Sequence, residues 1–213
     1  DSLNSQPINR NPADYRDEAI SPKLGITYRI DDAHSVYSQY AAGFRAPNPV
    51  DIFGEFINFA RNYQTIANPS LKPETSDSYE VGLRGQYPTG AFGVALFYNR
   101  YDDFIEQVTL ANDPTGAGRM TFQYQNLDRV TIRGAEARGE LLLDSLGMPA
   151  GSHLRSAIAY ARGKDEATGQ PINSIDPLKA VLGLGYDAPS GRFGGELTWT
   201  CLLYTSDAAD DSL

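Results

Sequence analysis

Two His, one Cys and 13 Tyr limit the chemistry open to this 213-residue sequence. Nucleophilic hydrolysis needs a Ser or Cys oriented by a His. His34 follows Asp31-Asp32-Ala33 in a turn pattern and His153 opens a strand pattern. Neither has a Gly-x-Ser-x-Gly elbow, so both read as structural or solvated residues. Gly183-Leu184-Gly185-Tyr186-Asp187-Ala188 fits a dinucleotide fingerprint as letters. It lies within a strand pattern and meets Pro189, where a phosphate-binding helix would have to start, so its glycines are read as relieving crowding in a strand. Cys201 alone excludes a disulfide framework and any zinc cluster of several thiolates.

What remains is binding chemistry. Arg45, Phe56, Phe59, Arg61 and Tyr63 fall in one long connection, residues 44–75, and together could form an aromatic and basic surface for a planar anionic ligand or its protein carrier. The same stretch supports a plainer reading. Asn48 caps a short helix with Pro49 at its first position, and Phe53, Phe56, Ile57 and Ala60 share a face that packs on neighbouring loops. A second set of charges, Glu80, Arg84, Glu136 and Arg138, sits at alternate positions within strand patterns, with Ala135, Ala137 and Gly139 opposite the latter pair.

Strands must position all of these residues. Apolar side chains recur at every second position in Leu24, Ile26, Tyr28, Ile30, again in Tyr79, Val81, Leu83, and again in Phe92, Val94, Leu96, Tyr98. The pattern predicts about eight strands, at 22–30, 35–43, 76–87, 91–108, 121–143, 153–162, 178–187 and 192–200. Their connections alternate short and long. Along an up-and-down meander this puts every short turn at one end and every long loop at the other, the asymmetry of an outer-membrane barrel. A soluble β-sandwich binding module is the rival class, but its Greek-key crossings give no reason for such sorting. Lipid on one face and a polar lumen on the other would explain the alternation, with Glu80, Arg84, Glu136 and Arg138 turned inward. Tyr87, Phe92, Tyr98, Tyr101, Tyr186 and Trp199 near strand ends suit interfacial girdles.

Composition sets outer bounds. A net charge of -9 argues against nucleic acid as a partner. No run of about 18 apolar residues is present, so no transmembrane helix is expected. With no basic-then-apolar leader at Asp1, the chain reads as either cytoplasmic or an interior piece of a longer precursor.

Two boxes carry a family likeness. Tyr37-Ser38-Gln39-Tyr40-Ala41-Ala42-Gly43-Phe44-Arg45-Ala46-Pro47 is followed by Asn68-Pro69-Ser70-Leu71-Lys72-Pro73-Glu74-Thr75-Ser76 and then Tyr79-Glu80-Val81-Gly82-Leu83-Arg84. Over residues 20–200 the chain resembles the C-terminal half of the β-barrel of TonB-dependent outer-membrane receptors, and Gln125-Asn126-Leu127 through Ile132-Arg133-Gly134-Ala135-Glu136 is similar to a later strand of that family. Phe44, Arg45, Ala46 and Pro47 followed by Asn68, Pro69, Leu71 and Glu74 resemble the haem and haemoglobin receptors within it, although no His stands between residues 48 and 67. The resemblance implies an all-β, antiparallel up-and-down transmembrane barrel of about 22 strands, of which this chain holds about eight. It implies active import rather than catalysis, with no permanently bound cofactor and with haem or a ferric chelate as transported ligand. The alternative cargo is a ferric siderophore. Implied partners are the TonB–ExbB–ExbD energy-transducing complex, acting through an N-terminal part outside this sequence, outer-membrane lipid, and a haemoprotein carrier. If the cargo is haem, Tyr63 is the residue between the boxes able to ligate its iron through a phenolate, with Arg45 and Arg61 pairing to propionates.

The barrel segment is expected to occupy residues 1–200. Cys201-Leu202-Leu203-Tyr204-Thr205-Ser206-Asp207-Ala208-Ala209-Asp210 is similar to a translated transposase adapter, so residues 201–213 read as a non-native tail. The other reading extends the last strand through Leu202, Leu203 and Tyr204.

Overall fold

A computed structural model describes residues 18–172, 175 and 178–203. Eight strands form the main path of one antiparallel sheet: β1 (Lys23–Arg29), β2 (His34–Arg45), β5 (Glu74–Tyr87), β6 (Gly90–Thr109), β7 (Met120–Leu142), β8 (Ser152–Asp165), β9 (Leu178–Asp187) and β10 (Gly194–Leu203). Between β2 and β5 lie a short helix α1 (Pro49–Phe53) and two short strands, β3 (Phe56–Asn58) and β4 (Tyr63–Ile66). Each strand of the main path pairs with the next along it, as a meander does and a Greek key does not. Residues 30–33, 88–89, 143–151 and 188–193 make the short turns at one end, and the long connections 46–73 and 110–119, with the described residues 166–172 of a third, lie at the other.

Residues paired across strands project to the same side of a sheet, so the registers sort every side chain. One row across the sheet reads Ile26, Ser38, Val81, Leu96, Ala135, Tyr160 and Leu178. The adjacent row, on the opposite face, reads Thr27, Tyr37, Gly82, Ala95, Glu136, Ala159 and Lys179. The first face is an open apolar surface, with Leu24, Ile26 and Leu197 each more than 70% exposed. In water such a surface would be an aggregation hazard; against lipid it is what a barrel wall requires. Among the described residues no helix is long and apolar enough to cross a membrane, and the strands do the crossing.

Tyrosines bound this apolar band. Tyr40 and Tyr79 meet at 5.2 Å towards the long-loop end, while Tyr87 stacks on Phe92 at 6.2 Å and Tyr186 meets Phe193 at 6.1 Å towards the short turns. The eight steps from Tyr79 to Tyr87 along β5 span about 27 Å, or about 20 Å of height at a tilt near 45°, close to the band of an outer-membrane barrel. Tyr87, Phe92, Tyr98, Tyr186 and Trp199 share the apolar face, as a girdle requires. Tyr101 does not. It packs edge-on against Phe104 at 5.4 Å within a cluster built on Val130, Ile132 and Ile172 on the other face, so the girdle assignment fails for this residue. The cause is the connection after β8, which folds back over the inner face and brings Ile172 and Ile175 onto Val130 and Ile132.

At 20 and 23 residues, β6 and β7 are about twice as long as the 9 to 11 residues needed to span a membrane, so their hairpin projects beyond the band. Gly134 permits close packing in the spanning part: a Cβ there would collide with the Tyr160 carbonyl oxygen and the Phe97 ring. β10 runs through Cys201 to Leu203, and the rest of the proposed tail, residues 204–213, lies outside the described residues.

Candidate functional site

The connection from β2 to β5 is a strap. It leaves β2 and crosses the upper β6–β7 hairpin to reach the far edge of β7, beyond the point where β8 has ended. There β4 pairs in parallel with β7, Tyr63 to Met120 through Ile66 to Gln123, covering an edge that would otherwise be open. Helix α1 starts as its sequence requires: Asn48 accepts from the N–H groups of Val50 and Asp51, Asp51 reaches back to Asn48, and Pro49 occupies the first turn. It stops at Phe53, with Gly54 as its cap. Phe56, Ile57 and Ala60 therefore do not continue a helical face. Phe56–Asn58 pairs instead with Tyr63–Gln64–Thr65, because a β partner on β7 is available and outweighs the local helical spacing.

The two family boxes hold this strap down. Ile52 and Leu71 are buried together with Ile105, against Tyr124. The Asn68 amide donates to the Tyr124 carbonyl at 2.8 Å, and its oxygen accepts from Ser70. Gln123 donates to the Ala67 carbonyl at 3.0 Å. Asn126 bonds both backbone groups of Lys72 and donates to the Asp103 carbonyl at 2.7 Å. Asp103 has a positive φ of 55°, a rare conformation for a non-glycine residue, and two side chains take up backbone groups beside that kink. Asn126 takes the Asp103 carbonyl, and the buried Glu74 carboxylate accepts from the Ile105 N–H at 3.0 Å. Arg45 completes the latch, with its guanidinium 3.1 Å from Glu74 and 3.3 Å from the Ile105 carbonyl. Phe44 is half-buried at the end of β2, Pro47 is buried, and Ala46 and Pro69 are exposed.

The far end of the strap carries the aromatic group. Tyr63 lies between Phe56 at 5.9 Å and Phe122 at 6.0 Å. Phe59 is 76% exposed, with the Arg119 guanidinium 5.2 Å from its ring centre. Arg61 is exposed in the β3–β4 turn, its N–H held by Asn58. Phe56, Phe59, Arg61 and Tyr63 thus share one hairpin. Arg45 stands apart from them: its partner Ile105 pairs with Asn126, six residues or about 20 Å along β7 from Met120, the partner of Tyr63.

Beneath the hairpin, buried Gln64 donates to Asp113, Thr115 and Thr121 at 2.9 to 3.0 Å and accepts from Arg119 at 3.3 Å. Asp113 also takes the Thr115 hydroxyl and the N–H groups of Thr115 and Arg119. The Thr115 hydroxyl, followed by these backbone donors, holds the Asp113 carboxyl far below its ordinary range. Gln64, Asp113, Arg119 and Phe122 escaped sequence reasoning because the contacts that join the strap to the 113–122 segment link residues roughly 50 to 60 positions apart and follow no local spacing.

On the inner face, Glu80 accepts from the Tyr37 hydroxyl at 2.7 Å, and Arg84 lies 4.2 Å from the centre of the Tyr37 ring. Glu136 and Arg138 pair across to Ala95 and Gly93, on the face opposite Leu24 and Ile26. Towards the short turns Arg155 bridges Glu140 and Glu196, and buried His153 approaches Glu196 at 3.4 Å. Extending the alternation along β8 and β10 would have found Arg155 and Glu196. His34 bonds both oxygens of Asp31 and, at 2.5 Å, the Tyr87 hydroxyl, tying the β1–β2 turn to the end of β5. Gly183–Asp187 lies within β9 and is followed by a turn and β10, with no helix to receive a phosphate.

Comparison with known proteins places this architecture. The chain is 35% identical over 188 residues to Hemoglobin-haptoglobin utilization protein B of Neisseria meningitidis serogroup C, covering 80% of this chain and 23% of that protein. It is 26% identical to Lactoferrin-binding protein A of Neisseria meningitidis serogroup A over 83% of this chain and 20% of that protein. It spans about a quarter or less of the length of these relatives. Among solved structures, the copper transporter OprC superposes with a TM-score of 0.64 at 20% identity, over 84% of this chain and 25% of its own. The siderophore receptor PirA of Pseudomonas aeruginosa gives 0.59 at 19% identity, over 85% and 30%. These two likenesses speak for the fold alone. With a family model for the TonB dependent receptor-like β-barrel matching residues 1–212, the chain belongs to the TonB-dependent receptors of the Gram-negative outer membrane.

Proposed function

We propose that this chain is part of a receptor importing haem drawn from haemoglobin or a haemoglobin complex. The observation that carries the reading is the 35% identity, over 80% of the chain, to a protein named for haemoglobin–haptoglobin utilization. On this reading the exposed β3–β4 hairpin, with Phe59 and Arg61 at its tip, contacts the haemoprotein carrier. Tyr63 offers a phenolate to haem iron and Arg61 an ion pair to a propionate. Arg45 is left out of that role because Glu74 engages it. Haem is cargo, not a resident cofactor. Glu80, Arg84, Glu136 and Arg138 would meet the plug of the complete receptor, and the TonB–ExbB–ExbD complex would supply the energy.

The test is growth of a haem-requiring strain on haemoglobin and on free haem, with the complete receptor carrying Tyr63→Phe or Arg61→Ala. Reduced growth on both sources supports the ligand role, and reduced growth on haemoglobin alone assigns the hairpin to the carrier. Unimpaired growth in both variants removes the hairpin site. Uptake of a ferric siderophore in place of haem would overturn the cargo.

A further inference from the structure

We propose that Arg119, backed by Phe59, receives a surface carboxylate of the haemoprotein carrier, on the side of the β3–β4 hairpin opposite Tyr63. This deepens the carrier contact proposed above and rests on it.

The registers divide the hairpin into two sides. Paired residues project together, so Tyr63 with Met120, and Thr65 with Phe56 and Phe122, make one side. Gln64 pairs with Thr121 on the other, and the Arg119 guanidinium reaches Gln64 there at 3.3 Å. Two clasps fix the Arg119 backbone beside the hairpin turn: the Asn62 side chain donates to the Gly118 carbonyl at 3.2 Å, and the Met120 N–H donates to the Asn62 carbonyl at 3.2 Å. The guanidinium then lies 5.2 Å from the centre of the Phe59 ring.

No carboxylate answers that charge. Arg119 forms no ion pair among the described residues. Asp113, in the same loop, has its oxygens taken up by Gln64, the Thr115 hydroxyl and N–H, and the Arg119 N–H. Glu55 lies at the far end of the hairpin, before the Phe56–Thr65 pair. A guanidinium carries several N–H donors in a planar fork, and the bond to Gln64 leaves the rest for a partner.

Shape and charge select the occupant. Phe59 is 76% exposed at the projecting turn, and a Cβ added at Gly116 or Gly118 would meet nothing within 4 Å. Small ligands are held in clefts, so an open tip of this kind suits a protein surface. Buried aromatic rings and Arg dominate the energetics of protein contacts, and a guanidinium grips a carboxylate through two parallel bonds. Arg119 therefore sets the preference for an acidic patch, with Phe59 as its apolar anchor. A hairpin used on both sides lets the carrier dock without covering Tyr63.

The complete receptor in detergent, binding haemoglobin at about 50 and about 300 mM salt, tests the contact, beside growth on haemoglobin and on free haem. Arg119→Gln should slow association about tenfold at the lower salt and remove most of its salt dependence, while Arg119→Lys, which keeps the charge, retains that dependence. Growth of the Arg119→Gln strain on free haem should not change. Haemoglobin with its surface carboxylates amidated should associate with the unchanged receptor as slowly as native haemoglobin does with Arg119→Gln. Unaltered association by Arg119→Gln, or of amidated haemoglobin, overturns the proposal, as do equal losses on free haem and haemoglobin, which would make Arg119 a mere support for Gln64. A complete receptor that binds no haemoglobin overturns the carrier reading itself, whereas binding indifferent to Arg119 overturns this contact alone. Should Arg119→Gln fail to assemble, native and amidated haemoglobin compared on the unchanged receptor decide.

Discussion

Asn126 and Lys72 hold one another through a reciprocal pair of hydrogen bonds: the Lys72 N–H donates to Asn126 Oδ1 at 2.8 Å, and Asn126 Nδ2 donates to the Lys72 carbonyl at 3.0 Å. A side-chain amide here does the work of a strand neighbour, docking the irregular strap on β7. Replacing Asn126 with Ala removes both bonds and the one to the Asp103 carbonyl, a loss of about 1 to 3 kcal/mol. Limited proteolysis of cells bearing the variant should show faster cleavage within residues 46–73, with the barrel still resistant.

Glu74 and Arg45 should prove unequal partners. Glu74→Ala strips an acceptor from the buried Ile105 N–H as well as from the guanidinium, whereas Arg45→Ala gives up its bond to the Ile105 carbonyl but leaves the Ile105 N–H paired with Glu74. The Arg45 side chain is 53% exposed, which weakens the ion pair itself. Glu74→Ala is therefore expected to open the strap more, with Arg45→Ala adding little in the double variant. Hydrogen exchange at Ile105 reads the difference.

Asp113 makes the long-loop end acid-sensitive. Its carboxyl is depressed by the Thr115 hydroxyl and by backbone donors. A carboxyl with a depressed folded value contributes stability above its unfolded pKa, about 3.9, and loses it as pH falls towards the folded value. Exchange protection at residues 63–66 and 113–121 should hold from pH 7 down to about 4 and weaken below that. Asp113→Ala should lower protection at pH 7 and flatten the acid limb; an unchanged limb would exclude Asp113 as its source.

Two glycines should respond oppositely to Ala. At Gly134 the new methyl meets the Tyr160 carbonyl oxygen and the Phe97 ring, while at Gly195 nothing lies within 4 Å. Gly134→Ala is expected to cost about 1 to 3 kcal/mol and to lower the yield of heat-modifiable, assembled receptor. Gly195→Ala should assemble as well as the unchanged protein.

The register makes neighbouring positions on β6 unequal. Leu96→Arg puts a guanidinium on the apolar face, at a cost of about 2 to 4 kcal/mol near the midplane. Ala95→Arg points it to the face of Glu136. Outer-membrane assembly should fail or slow for the first and proceed for the second.

The spanning strands were legible because lipid and lumen impose a period of two on every one of them, so 178–187 was read at the observed bounds and most others within two or three residues. The strap was not. Asn48 and Pro49 announced the start of α1, but its end depends on β3 and β4 finding β7, a pairing between residues more than 50 positions apart. The Asn-Pro-x-Leu box could be recognised as a motif without revealing that Asn68 and Leu71 serve as anchors, since their partners Tyr124 and Ile105 carry no mark of that role. Tyr101 escapes the girdle for a related reason: Ile172 and Ile175, which pack in its cluster, come from a different connection.

The parallel rungs between β4 and β7, with Gln64 clamped to Asp113 and Thr121, also join the 46–73 strap and the tip of the β6–β7 hairpin into one mechanical body. A force or an antibody lifting the 46–73 segment must shear those rungs and drag the 110–119 turn with it. An epitope tag in the turn would then report the posture of the strap without touching it.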